Sequence, residues 1–95
     1  MDVLRAMERQ SGLLRLIVHL AGDGERPLTT ILEETDISVH QLYSSIEKAR
    51  EMGLVASRID HGTYPNRNMI SCTPAGKRVA GKLEEIVKIV SSQQS

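Results

Sequence analysis

The chain has 95 residues, 40% of them hydrophobic, with twelve basic and twelve acidic side chains and two aromatics, Tyr43 and Tyr64. This composition describes one domain with a modest, aliphatic core. A single cysteine, Cys72, excludes a disulfide framework, no apolar run approaches the ~18 residues of a membrane span, and the N-terminus lacks a signal-peptide pattern, so a cytoplasmic protein without membrane contact is expected.

In chain order, residues 1–10 read as an N-terminal arm or bent helical extension, set off by Ser11-Gly12. Leu13, Leu14, Leu16, Ile17 and Leu20 recur at helical spacing, which predicts a helix over about 11–21 with Ser11 as its cap and Ala21-Gly22-Asp23-Gly24 as its stop. Pro27-Leu28 suits a short extended segment. Thr29 then caps a brief helix over Thr30–Glu34, with Ile31 and Leu32 turned inward.

Ser38 opens the third helix, and Gln41 three residues on completes a capping-box pattern. Leu42, Ile46 and Ala49 form its apolar stripe, leaving Val39, His40, Gln41, Tyr43, Ser44, Glu47, Lys48 and Glu51 on the other faces. Gly53 ends it, where a left-handed residue is cheapest. Val55–Ile59 and Asn68–Cys72 are β-prone and flank a turn-rich stretch, 60–67, which predicts a hairpin with a long polar tip. Thr73-Pro74 is a cap followed by proline at the first helical position, and a last helix is expected from Pro74 to about Val90, with 91–95 fraying.

Charge is unevenly spread along these elements. Residues 1–37 hold four basic and seven acidic side chains, whereas residues 38–82 hold seven basic and three acidic ones. The positive excess falls on the third helix and the hairpin, a local footprint of the kind phosphate binding needs.

The order and spacing of these pieces resemble the winged helix-turn-helix domains of MarR-like and related prokaryotic transcription regulators. The resemblance covers about residues 11–90. It rests on Leu28-Thr29 before the second helix, Ile37-Ser38 opening the third, Gly53-Leu54-Val55 closing it, Arg67 before the last strand, and Thr73-Pro74-Ala75-Gly76. It implies an α+β, mainly α, fold: a winged helix-turn-helix domain over 11–76, with a C-terminal dimerisation helix and tail over 77–95. It also implies a partner, double-stranded DNA, with the recognition helix (about 38–52) in the major groove and the wing (about 55–72) on flanking backbone or minor groove.

Carried onto this chain, Ser38, His40, Gln41, Tyr43, Ser44 and Lys48 would face DNA from the helix, and Arg58, His61 and Arg67 from the wing. Their chemistry suits those roles. Gln41 can pair bidentately with adenine, while His40 and Ser44 can exchange hydrogen bonds with base edges. Tyr43, Lys48 and the arginines suit phosphates, which position a protein without reading sequence. The alternative is a winged helix that binds another protein and no DNA, its polar face merely solvated.

On the last helix Val79, Leu83, Ile86 and Val90 recur at steps of four, three and four, widened by Val87 and Ile89. Val79 and Leu83 can pack on the domain itself. A homodimer through Leu83, Ile86, Val87, Ile89 and Val90 is expected. Cys72 alternates inward with Ile70 and reads as a structural thiol. His19, His40 and His61 are widely separated and lack metal-ligand spacing, so no metal is expected. There is no phosphate-binding glycine loop or nucleophile–base grouping, so neither an enzyme nor a cofactor is expected.

Overall fold

A computed structural model of the chain describes residues 2–22, 24–62 and 65–93. The described residues form five helices and a small antiparallel sheet: α1 (Val3–Arg9), α2 (Leu13–Ala21), β1 (Arg26–Pro27), α3 (Leu28–Glu34), α4 (Val39–Glu51), β2 (Val55–Asp60), β3 (Arg67–Cys72) and α5 (Pro74–Gln93). The fold is thus α+β and mainly helical. The predicted stop residue Asp23, the tip residues Thr63 and Tyr64, and the tail residues Gln94 and Ser95 lie outside the described residues.

The core is aliphatic throughout. Leu13, Leu16, Ile17 and Leu20 of α2 meet Leu28 and Ile31 of α3, Leu42, Ile46 and Ala49 of α4, Ile70 of β3 and Ala80 of α5. Burial of this many side chains, each worth about 1.5–3 kcal/mol when fully desolvated, holds three short helices that would be marginal alone. Ile37, between α3 and α4, is also buried and fixes the turn between them.

The sheet order is β1-β3-β2, with Arg26 opposite Ile70 and Val55 opposite Cys72. The two-residue β1 lies one residue earlier than the extended segment expected at Pro27-Leu28. Its partner β3 stands between it and β2, so the hairpin is anchored to the body along one edge.

Two helix starts differ from expectation, and a third belongs to the arm. The arm is a helix in its own right, capped by the Asp2 carboxylate, which accepts the Arg5 N–H at 3.1 Å; its Met7 packs on the core. The cap of α2 is Gly12, at φ +89°, and not Ser11. A left-handed turn is needed there to fold α1 back on the body, and Ser11 is used elsewhere. Helix α3 starts at Leu28, directly after Pro27, and Thr29 is not its cap. Proline holds the extended φ that the cap position requires, so no side-chain cap is used.

The far end of the hairpin is welded to α5. The Gly53 backbone, at φ +76°, turns the chain out of α4. Its carbonyl accepts the Thr73 hydroxyl at 2.6 Å, and the Leu54 carbonyl accepts the Thr73 N–H at 3.1 Å. Thr73 Oγ1 in turn accepts the Gly76 N–H at 3.1 Å, capping α5 as expected. Helix α5 continues to Gln93, past the expected end at Val90, and every residue of it from Glu84 to Gln93 is exposed. This overhang helps explain a radius of gyration of 14.0 Å and a longest dimension of 48 Å, against about 13 Å for the radius of a compact 100-residue domain.

Candidate nucleic-acid interface

Helix α4 presents four different sides, and the 3.6-residue period assigns each residue to one of them. The inner side carries Leu42, Ile46 and Ala49, all buried. Ser38 caps the helix: its Oγ accepts the Gln41 N–H at 3.3 Å. The side opposite the core carries His40, Ser44, Glu47 and Glu51, of which only Ser44 is half-buried. Among the described residues, His40, Glu47 and Glu51 on this side are exposed.

The wing-facing flank carries Val39, Tyr43 and Arg50, with Tyr43 54% exposed. Arg50 donates to Ser57 Oγ of β2 at 3.1 Å and to Glu47 Oε2 at 2.5 Å. Glu47 therefore does not stand as a bare negative charge on the outer face. Glu51 is likewise balanced, lying 3.3 Å from Lys48 Nζ.

The fourth side faces α1 and carries Gln41, Ser45, Lys48 and Met52. Sequence reasoning missed Ser45, the one fully buried polar side chain among the described residues. Its hydroxyl donates to the Ser11 carbonyl at 3.0 Å and accepts Gln10 Nε2 at 3.4 Å. Gln41 Nε2 adds a bond to Ser11 Oγ at 3.4 Å. These bonds dock α4 onto the α1–α2 junction. Ser45 sits one residue before Ile46 and three after Leu42, so the helical period alone would have placed it inward.

The nine expected contact residues therefore divide. Ser38 is exposed at the N-terminal end of α4 as its cap, and His40, Tyr43 and Ser44 lie on the outer or wing-facing surface. Gln41 and Lys48 turn toward α1, with the Gln41 amide already engaged. His61 and Arg67 are exposed on the hairpin, near its tip. Arg67 stands opposite Asp60 in the β2–β3 register, but the Asp60 carboxylate is taken by the Gly62 N–H at 2.9 Å. Among the described residues Arg67 forms no ion pair.

Arg58 is different. Its Nε and a terminal nitrogen grip both oxygens of Glu25 at 2.6 and 2.5 Å, a bidentate pair that raises the guanidinium pKa further. Glu25 directly precedes β1, 33 residues away, so the pair ties the wing to the body. Together Arg50, Ser57, Arg58, Arg67 and two asparagines, Asn66 and Asn68, line a cleft of about 510 Å³ between the wing and α4.

Other charged groups brace the scaffold. The Glu34 carboxylate meets Arg26 and, at 3.2 Å, His19 Nε2. The Arg26 hydrogen bond lowers the Glu34 pKa, against the opposing effect of burial, and His19 lowers it further. Cys72 is half-buried, with its thiol 3.6 Å from the Ile17 carbonyl. Burial pushes its pKa up, only partly offset by Lys77. It is a packing thiol, with no depressed pKa to make it a nucleophile.

No described helix is long and apolar enough to cross a membrane, and the described residues contain no group of three or more potential metal ligands. No protein-family model and no curated protein matches the chain.

Solved structures do match, at low identity and over nearly the whole chain. One is a protein of Enterococcus faecalis V583 described as a transcriptional regulator of the MarR family, at TM-score 0.78 and 18% identity, covering 98% of this chain and 86% of that one. Another, with the same description, is from Porphyromonas gingivalis W83, at TM-score 0.75 and 20% identity, with 95% and 89% covered. A transcriptional regulator homologue from Pyrococcus horikoshii OT3 matches at TM-score 0.74 and 20% identity, with 100% and 99% covered. The fold is the winged helix found in MarR-family regulator structures.

Proposed function

We propose that the protein is a double-stranded DNA-binding transcriptional regulator that works as a homodimer. The observation that carries this reading is the state of α4: its Leu42, Ile46 and Ala49 side is locked in the core while its opposite side is bare. A helix about 10–12 Å across fits a major groove about 12 Å wide. His40 and Ser44 have the donors and acceptors to read base edges, and Tyr43, Arg67 and His61 suit the flanking backbone. The likeness to structures of MarR-family regulators supports the same reading.

The dimer is supported by α5. Ile86, Val87, Ile89 and Val90 are all at least half exposed, and Leu83, Ile86 and Val87 share an apolar groove with Leu14 and Val18 of α2. A second copy on this surface would remove it from water and present two recognition helices, which palindromic sites accept at about 34–36 Å spacing.

Titrating a labelled random-sequence duplex at two salt concentrations tests the first part. Binding should weaken steeply with salt, with a log–log slope of about −0.9 per phosphate neutralised. A protein with no duplex affinity at low salt is a protein-interaction module instead.

A further inference from the structure

The recognition helix has a second charged cleft on the side away from the wing. Arg5 and Arg9 stand four apart on one face of α1, and with Asp2, Gln10 and the α4 residue Lys48 they line a cleft of about 370 Å³. Among the described residues neither arginine forms a salt bridge or side-chain hydrogen bond. Asp2 is occupied as the cap of α1, accepting the Arg5 backbone N–H at 3.1 Å, and Lys48 lies 3.3 Å from Glu51. Two exposed arginines about one helical turn apart, with no ion pair among the described residues, favour an external anion with several acceptor oxygens.

The position of this cleft identifies the anion. On one flank of α4 lies the wing cleft with Arg50 and Arg67; on the other lies the α1 cleft with Arg5, Arg9 and Lys48. A major groove is likewise bordered on both sides by a phosphate backbone. The α1 wall is held at a fixed distance from α4 by the Gln10–Ser45–Ser11 hydrogen bonds, so its cations keep a set register with the helix they flank.

We infer that Arg5 and Arg9 form a phosphate-binding clamp for duplex DNA, gripping the backbone on the side of the recognition helix opposite the wing. This rests on the DNA-binding reading above. It gives α1 a direct place in the contact surface, and Lys48 joins the clamp from its flank of α4.

The test compares the wild-type chain with R5A/R9A and R5K/R9K on one labelled random-sequence duplex across a salt series. R5A/R9A should flatten the log–log salt slope by about two units, since each lost phosphate contact removes about 0.9, and should weaken low-salt binding about tenfold or more. R5K/R9K should retain most of the slope, because a point charge serves a phosphate. Phosphate-ethylation interference with wild-type protein, on a duplex it selects from a random pool, should mark phosphates on both borders of the contacted groove.

If wild type binds the duplex and R5A/R9A keeps its slope, the clamp does not exist, and the reading of α4 survives. Weaker binding at an unchanged slope would also overturn it, since that is loss through packing. Interference confined to one groove border would do the same, even if R5A/R9A failed to fold. Absence of wild-type binding would instead defeat the DNA reading itself.

Discussion

Gly76, in the first turn of α5, lies flat against the carbonyl of Leu54: a Cβ added there would stand 2.0 Å from that oxygen. The contact lets the start of α5 press on the exit of α4, where Leu54 also receives the Thr73 N–H.

Replacing a helical glycine by alanine normally stabilises by up to about 1 kcal/mol. Gly76→Ala should do the opposite, because the obstacle is backbone and cannot rotate away; an overpacked site of this kind loses about 1–3 kcal/mol. Gly81, five residues on in the same helix, has nothing within 4 Å of its added Cβ, and Gly81→Ala should gain about 0.5–1 kcal/mol. Thermal unfolding of the two variants gives the comparison. Equal midpoints would show that the close approach has no energetic consequence.

The Arg58–Glu25 pair predicts an asymmetry on the wing. Arg67→Ala should weaken binding to every duplex alike and reduce the salt slope by about one unit. Arg58→Ala should do less, because its guanidinium is already occupied by a carboxylate. Glu25→Gln should strengthen binding and steepen the slope by releasing that cation. The pair is exposed to solvent, so breaking it should change stability little. Salt titrations of the three variants decide; a Glu25→Gln variant that binds more weakly would contradict the account.

Stability should fall with acid through Glu34. Its pKa is lowered in the folded state, chiefly by the Arg26 hydrogen bond. The unfolded chain therefore takes up the proton first as pH drops. The contribution is present above the ordinary glutamate range and is lost as pH falls through the lowered folded value. Urea midpoints measured between about pH 6 and pH 3 should decline less in Glu34→Gln than in wild type. Parallel declines would mean that the contact to Arg26 and His19 contributes nothing.

Assembly should depend on the overhanging half of α5. Ile86→Lys, at a position 54% exposed in a single chain, should leave thermal unfolding of the isolated domain little changed, since surface substitutions generally act within about 0.5 kcal/mol. It should nevertheless shift sedimentation toward the monomer at micromolar concentration. A wild-type chain that already sediments as a monomer would remove the proposed dimer.

The parts of the molecule that could be read in advance are those set by local spacing. The Leu42/Ile46/Ala49 stripe, the Ser38 cap, the Gly53 exit and the Thr73-Pro74 start of α5 each need only neighbours within one or two turns. Ser11 looked equally like a cap, yet Gly12 took that place because α1 folds back and requires a left-handed turn. The partners of the charged residues were hidden for a different reason. Arg58 meets Glu25 across 33 residues, and Gln41 meets Ser11 across 30. Such pairings depend on where the sheet edge and the α1–α2 junction finally lie. Gln41 therefore looked free to read a base when its amide nitrogen was already bound.

The long reach of α5 links shape to concentration. Ten consecutive residues, from Glu84 to Gln93, are wound as helix with no buried side chain, and a segment of that length is barely stable in water alone. Its winding and its docking onto a second chain would then be one event. Dilution should lower far-ultraviolet ellipticity as it dissociates the pair, making secondary structure itself a gauge of how much protein is present.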